Sequence, residues 1–195
     1  PDQVPSIAEM TGKAIELLSQ NENGFFLMVE GSQVDWAAHA NDAGTMIDEF
    51  LAFDEAVGKA MEFAKSDGNT AVVVLTDHGN SGFSIGSGDC PGYSTLTLEQ
   101  LFGAVSNYTL SANGMESILS TTKPEEMKAA FKQYTDIDLT DEELQTLLSS
   151  KNYKEADYME VANSNNLAHN IVNILNSRTC FGFTTGGHTG EEVLL

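Results

Sequence analysis

The chain has 195 residues, 41% of them apolar and 19% charged, a globular balance with enough apolar side chain for a core and too little charge for a disordered tail. Its 29 acidic residues outnumber 9 basic ones and give a formal charge of −20. Arg178 is the only arginine, which argues against a nucleic-acid binder and against attachment to an anionic membrane surface, because both depend on Lys and Arg. A phosphate or sulfate could still be handled if cations were recruited.

In chain order, Ile7, Met10, Ala14, Ile15, Leu17 and Leu18 recur at helical spacing and predict a helix over residues 6–20, ended by Asn21-Glu22-Asn23-Gly24. Phe25-Phe26-Leu27-Met28-Val29 is a short continuous apolar run, the pattern of a strand buried on both faces, and it stops at Glu30-Gly31. Residues 43–65 predict a second helix with a broad apolar stripe from Met46 to Phe63. Ala71-Val72-Val73-Val74-Leu75 predicts a second buried strand, ending at Thr76-Asp77-His78-Gly79. Helix, strand, helix, strand is the order of an α/β layered domain with a parallel sheet.

After residue 88 the pattern turns helical. Thr97, with Gln100 three residues on, predicts a helix start running toward Ser106. Thr122-Lys123-Pro124-Glu125 reads as a capping box with Pro in the first turn, opening a helix to Tyr134. Thr140-Asp141-Glu142-Glu143 is a second box, and residues 156–178 form a longer helical stretch. The chain thus divides into an α/β core segment (1–88), a mainly helical insertion (89–180) and a return to the core (181–195), where Phe181-Gly182-Phe183 resumes strand-like sequence. No run approaches the ~18 apolar residues of a membrane span, and no basic patch followed by an apolar run marks a signal peptide.

The residues that carry chemistry cluster at the predicted strand ends. Glu30 ends the first strand, and Asp35 and His39 follow at i and i+4, on one helical face. Asp77 and His78 end the second strand, and His188 lies in a Gly-Gly-His-Thr-Gly loop. In a parallel α/β sheet the carboxyl ends of the strands converge on one crevice, so three imidazoles and three carboxylates can meet there. Imidazole nitrogen with carboxylate oxygen suits Zn²⁺, and oxygen alone suits Mg²⁺. Each piece taken singly has an ordinary structural reading: a surface ion pair, a strand-end carboxylate, a loop histidine.

Together the run from Phe25 to Asn41, the stretch Phe53-Asp54-Glu55-Ala56-Val57, the strand end Thr76-Asp77-His78 and the late Gly187-His188-Thr189-Gly190-Glu191 closely resemble the alkaline phosphatase family. The resemblance covers about 20–85 and 181–195. It implies a partial α/β/α sandwich with a helical insertion. It implies two zinc ions and one magnesium: Asp35, His39 and His188 on one zinc, Asp77 and His78 on the second, Glu30 on the magnesium. The implied reaction is phosphate monoester hydrolysis through a phosphoserine intermediate, in a periplasmic or extracellular setting, with a homodimer left open.

Two family features have no match. There is no Asp-Ser dipeptide to supply the nucleophile, and Arg178 does not match the phosphate-gripping arginine. The chain therefore reads as the C-terminal portion of such an enzyme, its partner a missing N-terminal half, with no catalytic residue of its own and no activity alone. A related phosphomutase, whose strand end resembles Thr76-Asp77-His78-Gly79-Asn80, a phosphodiesterase, and a non-catalytic metal-binding or interaction module stand as the other readings. Glu30-Gly31, five residues before Asp35, favours the phosphatase.

Cys90 and Cys180 bracket the insertion, whose ends must lie close, so a bridge between them is expected; two buried free thiols are the alternative. His169 and Trp36 are expected to pack as structural side chains, and the sequon Asn107-Tyr108-Thr109 to be a chance match.

Overall fold

The computed structural model describes residues 4–90, 92–151, 161–162 and 165–193. Three helices open the chain: α1 (Ile7–Leu18), α2 (Ser32–His39) and α3 (Ala43–Asp67). Helix α1 starts at a capping box, in which the Ser6 hydroxyl takes the Glu9 N–H and the Glu9 carboxylate takes the Ser6 N–H. It packs on α3 with Ala8, Thr11 and Ile15 buried, while Met10 and Leu17 face outward. Asn41, in the left-handed region at φ 58°, turns the chain from α2 into α3. Asp42 then caps α3 through the Thr45 N–H, and Gly68, at φ +71°, ends it. Trp36 departs from expectation. It is 44% exposed, because the small Ala37 and Ala38 take the inner face of α2.

The two apolar runs expected as strands, 25–29 and 71–75, carry no strand pairing among the described residues. Phe26 is 88% exposed and Val73 74%. A strand exists as a ladder, and no described segment pairs with either run. The described sheet is antiparallel instead of parallel: β1 (Gly79–Asn80) pairs with β2 (His188–Thr189), Asn80 opposite His188. The same two arms continue alongside each other away from this pair. The Ser81 N–H donates to the Gly187 carbonyl at 2.9 Å, Ser84 and Gly182 bridge, and the Ser87 N–H donates to the Cys180 carbonyl at 2.7 Å.

Between the arms lie α4 (Leu98–Phe102), α5 (Ala112–Leu119), α6 (Met127–Thr135), α7 (Asp141–Ser150) and α8 (Leu167–Asn176). Thr97 with Gln100, and Thr140 with Glu143, form the expected capping boxes of α4 and α7. Thr122 caps nothing. Its hydroxyl donates back to the Ile118 carbonyl at the end of α5, and a 3-10 turn at Pro124–Glu126 precedes α6. Of the long helical stretch expected at 156–178, α8 is what the described residues show; 156–160 and 163–164 lie outside them.

Helices α5 to α8 share a core in which Met115, Leu119, Met127, Phe131, Leu147 and Ile171 are buried. Smaller contacts tie it to the first helices. Asp42, itself buried, accepts the Ala112 N–H at 2.8 Å, and the Asn176 amide donates to the Asn41 carbonyl at 2.8 Å. The Tyr108 hydroxyl donates to the Leu175 carbonyl, and burial pushes its pKa up to about 12. A second cluster, with Phe181 packed between Phe83 and Phe102, fills the base of the arms.

Cys90 and Cys180 form the expected disulfide, joining the two arms across 90 positions with Cα atoms 5.3 Å apart. Closing so long a loop is worth about 4–5 kcal/mol in the chain-entropy model. The double variant Cys90→Ser/Cys180→Ser is expected to lose about 2–4 kcal/mol in denaturant unfolding. An unchanged midpoint and slope would count against that role.

Candidate metal centre

The first two site residues are placed by a short helix. In α2, Asp35 sits in the first turn and His39 in the last, four residues on, so their side chains meet on one face. Gly31 lets α2 start close against α3, since a Cβ there would stand 2.9 Å from the Phe53 ring. His188 arrives from the other end of the chain. The β1–β2 register lays it beside the segment that follows Asp77 and His78.

The structure brings Asp35, His39 and His188 together. The two imidazole Nε2 atoms are 3.1 Å apart, and each lies 3.4 Å from an oxygen of the Asp35 carboxylate. His39 Nδ1 is 2.7 Å from the Gly186 carbonyl, which can only accept, so Nδ1 carries the proton and Nε2 presents its lone pair to the cluster. Two imidazole nitrogens and a carboxylate facing one another in this way have nothing between them to share except a proton or a cation. A tetrahedral ion with ligands at about 2.0–2.1 Å holds those ligand atoms about 3.3 Å apart. The 3.1 Å between the two nitrogens is close to that spacing, and the carboxylate turns one oxygen to each imidazole, Oδ2 to His39 and Oδ1 to His188, both at 3.4 Å. The donor set fits a divalent transition metal.

The remaining expected residues lie at graded distances from this triangle. The His78 ring stacks on His188 with centroids 3.6 Å apart. Its Nδ1 faces the Gly79 carbonyl at 3.1 Å, which leaves Nε2 as the free lone pair, 3.3 Å from the Asp77 carboxylate. Asp77 and His78 thus form a second nitrogen–oxygen pair adjoining the first cluster, and the Asp77 side chain is largely exposed. Glu30 is exposed at the end of the unpaired 25–29 run and does not belong to the ligand triangle. One neighbour was read in the sequence only as the last residue of the Thr76–Asn80 strand end, with no part in the site. Asn80 donates its amide to Asp35, a contact between two residues that only the folded chain brings together. His169 is occupied elsewhere, with Nδ1 2.9 Å from the Val161 carbonyl.

A family model described as alkaline phosphatase matches residues 1–195. Alkaline phosphatase 4 of Bacillus subtilis (strain 168) is 37% identical over 191 residues, which is 98% of this chain and 38% of that protein. Alkaline phosphatase of Escherichia coli (strain K12) is 54% identical over 80 residues, 41% of this chain and 17% of that protein. The crystal structure of a cold-active alkaline phosphatase from Shewanella sp. superposes with a TM-score of 0.77 at 29% identity, covering 95% of this chain and 42% of the other. That of Thermus thermophilus alkaline phosphatase gives 0.79 at 25% identity, covering 97% and 41%. The chain therefore spans about two fifths of the length of relatives it matches nearly end to end.

The close approach at Gly31 gives a direct test of how α2 is held. Gly31→Ala must push the Phe53 ring aside, and it is expected to cost about 1–3 kcal/mol of stability, as overpacking generally does. Thermal unfolding of the metal-free chain measures it; an unchanged Tm would show that Phe53 yields freely.

Proposed function

The chain belongs to the alkaline phosphatase family, and from that premise we propose that it is the metal-holding part of a longer phosphate monoester hydrolase. The convergence of Asp35, His39 and His188 carries the reading. In it these three hold one zinc, Asp77 and His78 contribute to a second, and Glu30 contributes to a magnesium. Bound there, the ions would supply Lewis-acid polarisation of the phosphoryl oxygens and a positive field for an anionic substrate.

The chain's own residues prepare the site. Asp35, Asp77 and Glu30 bring negative charge that favours cations over bare phosphate, which also accounts for part of the acidic balance. The Gly186 carbonyl fixes the His39 tautomer so that Nε2 faces the ion. The pairing of β1 with β2 delivers His188 and His78 to one place.

The nucleophile and the phosphate grip lie outside this sequence in this reading, because it holds no Asp-Ser dipeptide and its single arginine is engaged with Glu143 at 2.6 Å. The polypeptide that supplies them would also supply strands beside 25–29 and 71–75, whose exposed Phe26, Met28 and Val73 ask for cover. The helical insertion would span 89–180, as a body carried on the core. The Cys90–Cys180 bridge supports an oxidising, periplasmic or extracellular setting. Among the described residues no helix is long and apolar enough to cross a membrane.

Two measurements test this. The purified chain is expected to retain roughly one zinc per molecule after dialysis and to show no zinc-dependent hydrolysis of an aryl phosphate. Less than about 0.2 zinc would remove the metal assignment, and robust turnover would remove the assignment of the nucleophile elsewhere. In the longer polypeptide, His188→Ala is expected to lower phosphomonoesterase activity by more than about 100-fold, the upper end for changes one layer further out.

A further inference from the structure

Asn80 is used on one side only. Its Nδ2 donates to Asp35 Oδ1 at 2.6 Å and to the Asp35 backbone carbonyl at 3.2 Å. Both hydrogens of the amide thus go to the same residue, and together they fix the backbone and the side chain of Asp35 relative to each other. Exchanging the nitrogen and oxygen would set a carbonyl against a carboxylate, so Nδ2 is the atom that must face Asp35. The other end of the amide, Oδ1, is buried and has no hydrogen-bond partner.

A buried polar atom without a partner destabilises the fold, and an apolar side chain of similar size would not carry that cost. Asparagine here is therefore a poor choice for stability and a good one for its donor. Its position sharpens the point. Asn80 stands opposite His188 in the β1–β2 register, so one residue grips the carboxylate of the triangle and sits in the ladder that delivers one of its imidazoles. A neutral amide also suits the task. It occupies a carboxylate lone pair and fixes the direction of the others without cancelling the negative charge that a cation needs.

We propose that Asn80 is a positioning residue that aims the Asp35 carboxylate at His39 and His188 and thereby sets the metal affinity of the site. The inference rests on the reading of Asp35, His39 and His188 as metal ligands. It concerns a residue of the chain itself and is measurable without catalysis.

The test compares the purified chain with Asn80→Leu and Asn80→Ala. Zn²⁺ affinity is read by competition with a chromophoric chelator, Co²⁺ coordination by visible absorption, and the metal-free fold by thermal unfolding. Both variants are expected to bind Zn²⁺ about 10–100-fold more weakly, the range for residues that orient metal ligands, and to change the Co²⁺ spectrum. Asn80→Leu, freed of the unpaired acceptor, is expected to melt no lower than the unsubstituted chain. Zinc affinity within about threefold of the unsubstituted chain, well short of that range, would overturn the inference. So would weaker binding that tracks a lowered Tm in both variants with an unchanged Co²⁺ spectrum, since that is a purely structural role. Failure of the unsubstituted chain to bind zinc would remove the metal-site reading itself, and this inference with it.

Discussion

The structure hangs on the antiparallel pairing of the two arms, residues 79–87 against 180–189. His39 and His188 are 149 positions apart, and nothing local could bring them within 3.1 Å of each other. The backbone hydrogen bonds from Ser87–Cys180 through Ser84–Gly182 to β1–β2 do so. The disulfide clamps one end of this ladder and the histidine cluster occupies the other. Phe83, Phe181 and Phe183 pack along it and give it an apolar footing. Remove the pairing and α2 keeps its Asp35–His39 pair, but the third ligand leaves.

What could be read from sequence divides along the same line, between local and long-range. Helix starts were legible, because a hydroxyl and a carboxylate or amide three residues apart satisfy each other's backbone within one turn. Thr97 with Gln100 and Thr140 with Glu143 do this, and Ser6 with Glu9, not singled out in the sequence, does the same. Thr122 has the same spacing to Glu125 and does something else, because the preceding helix α5 offers the Ile118 carbonyl to its hydroxyl first. The apolar runs at 25–29 and 71–75 were legible as buried-strand sequence, but a strand is completed by its neighbours, which no property of the run itself supplies.

The site shows the same split. Asp35 and His39 sit together by helical arithmetic alone. That His188 joins them was implied by resemblance to a family, not by spacing. Asn80 stood in the sequence only as the end of the Thr76–Asn80 stretch, because a neutral amide there does not announce its partner; its distance to Asp35 gives it a role. Its orphaned oxygen marks a place where local stability and the geometry of the site pull apart.

The ladder also separates what may vary in such a chain from what must not. The helices between Cys90 and Cys180 close a loop whose ends are already fixed. Doubling the length of a flexible loop adds only about 0.6 kcal/mol to the entropy of closure, so the loops joining these helices can change length, while the contacts of Asn176 with Asn41, of Ala112 with Asp42 and of Phe102 with Phe181 keep the helices themselves tied to the turn after His39 and to the arms. A slip of one residue in the two-residue pairing of Gly79–Asn80 with His188–Thr189 is different. Side chains alternate faces along a strand, so a single step would turn His188 away from Asp35. Tolerance to insertion and intolerance to register shift are thus set by the same few hydrogen bonds, read from opposite ends.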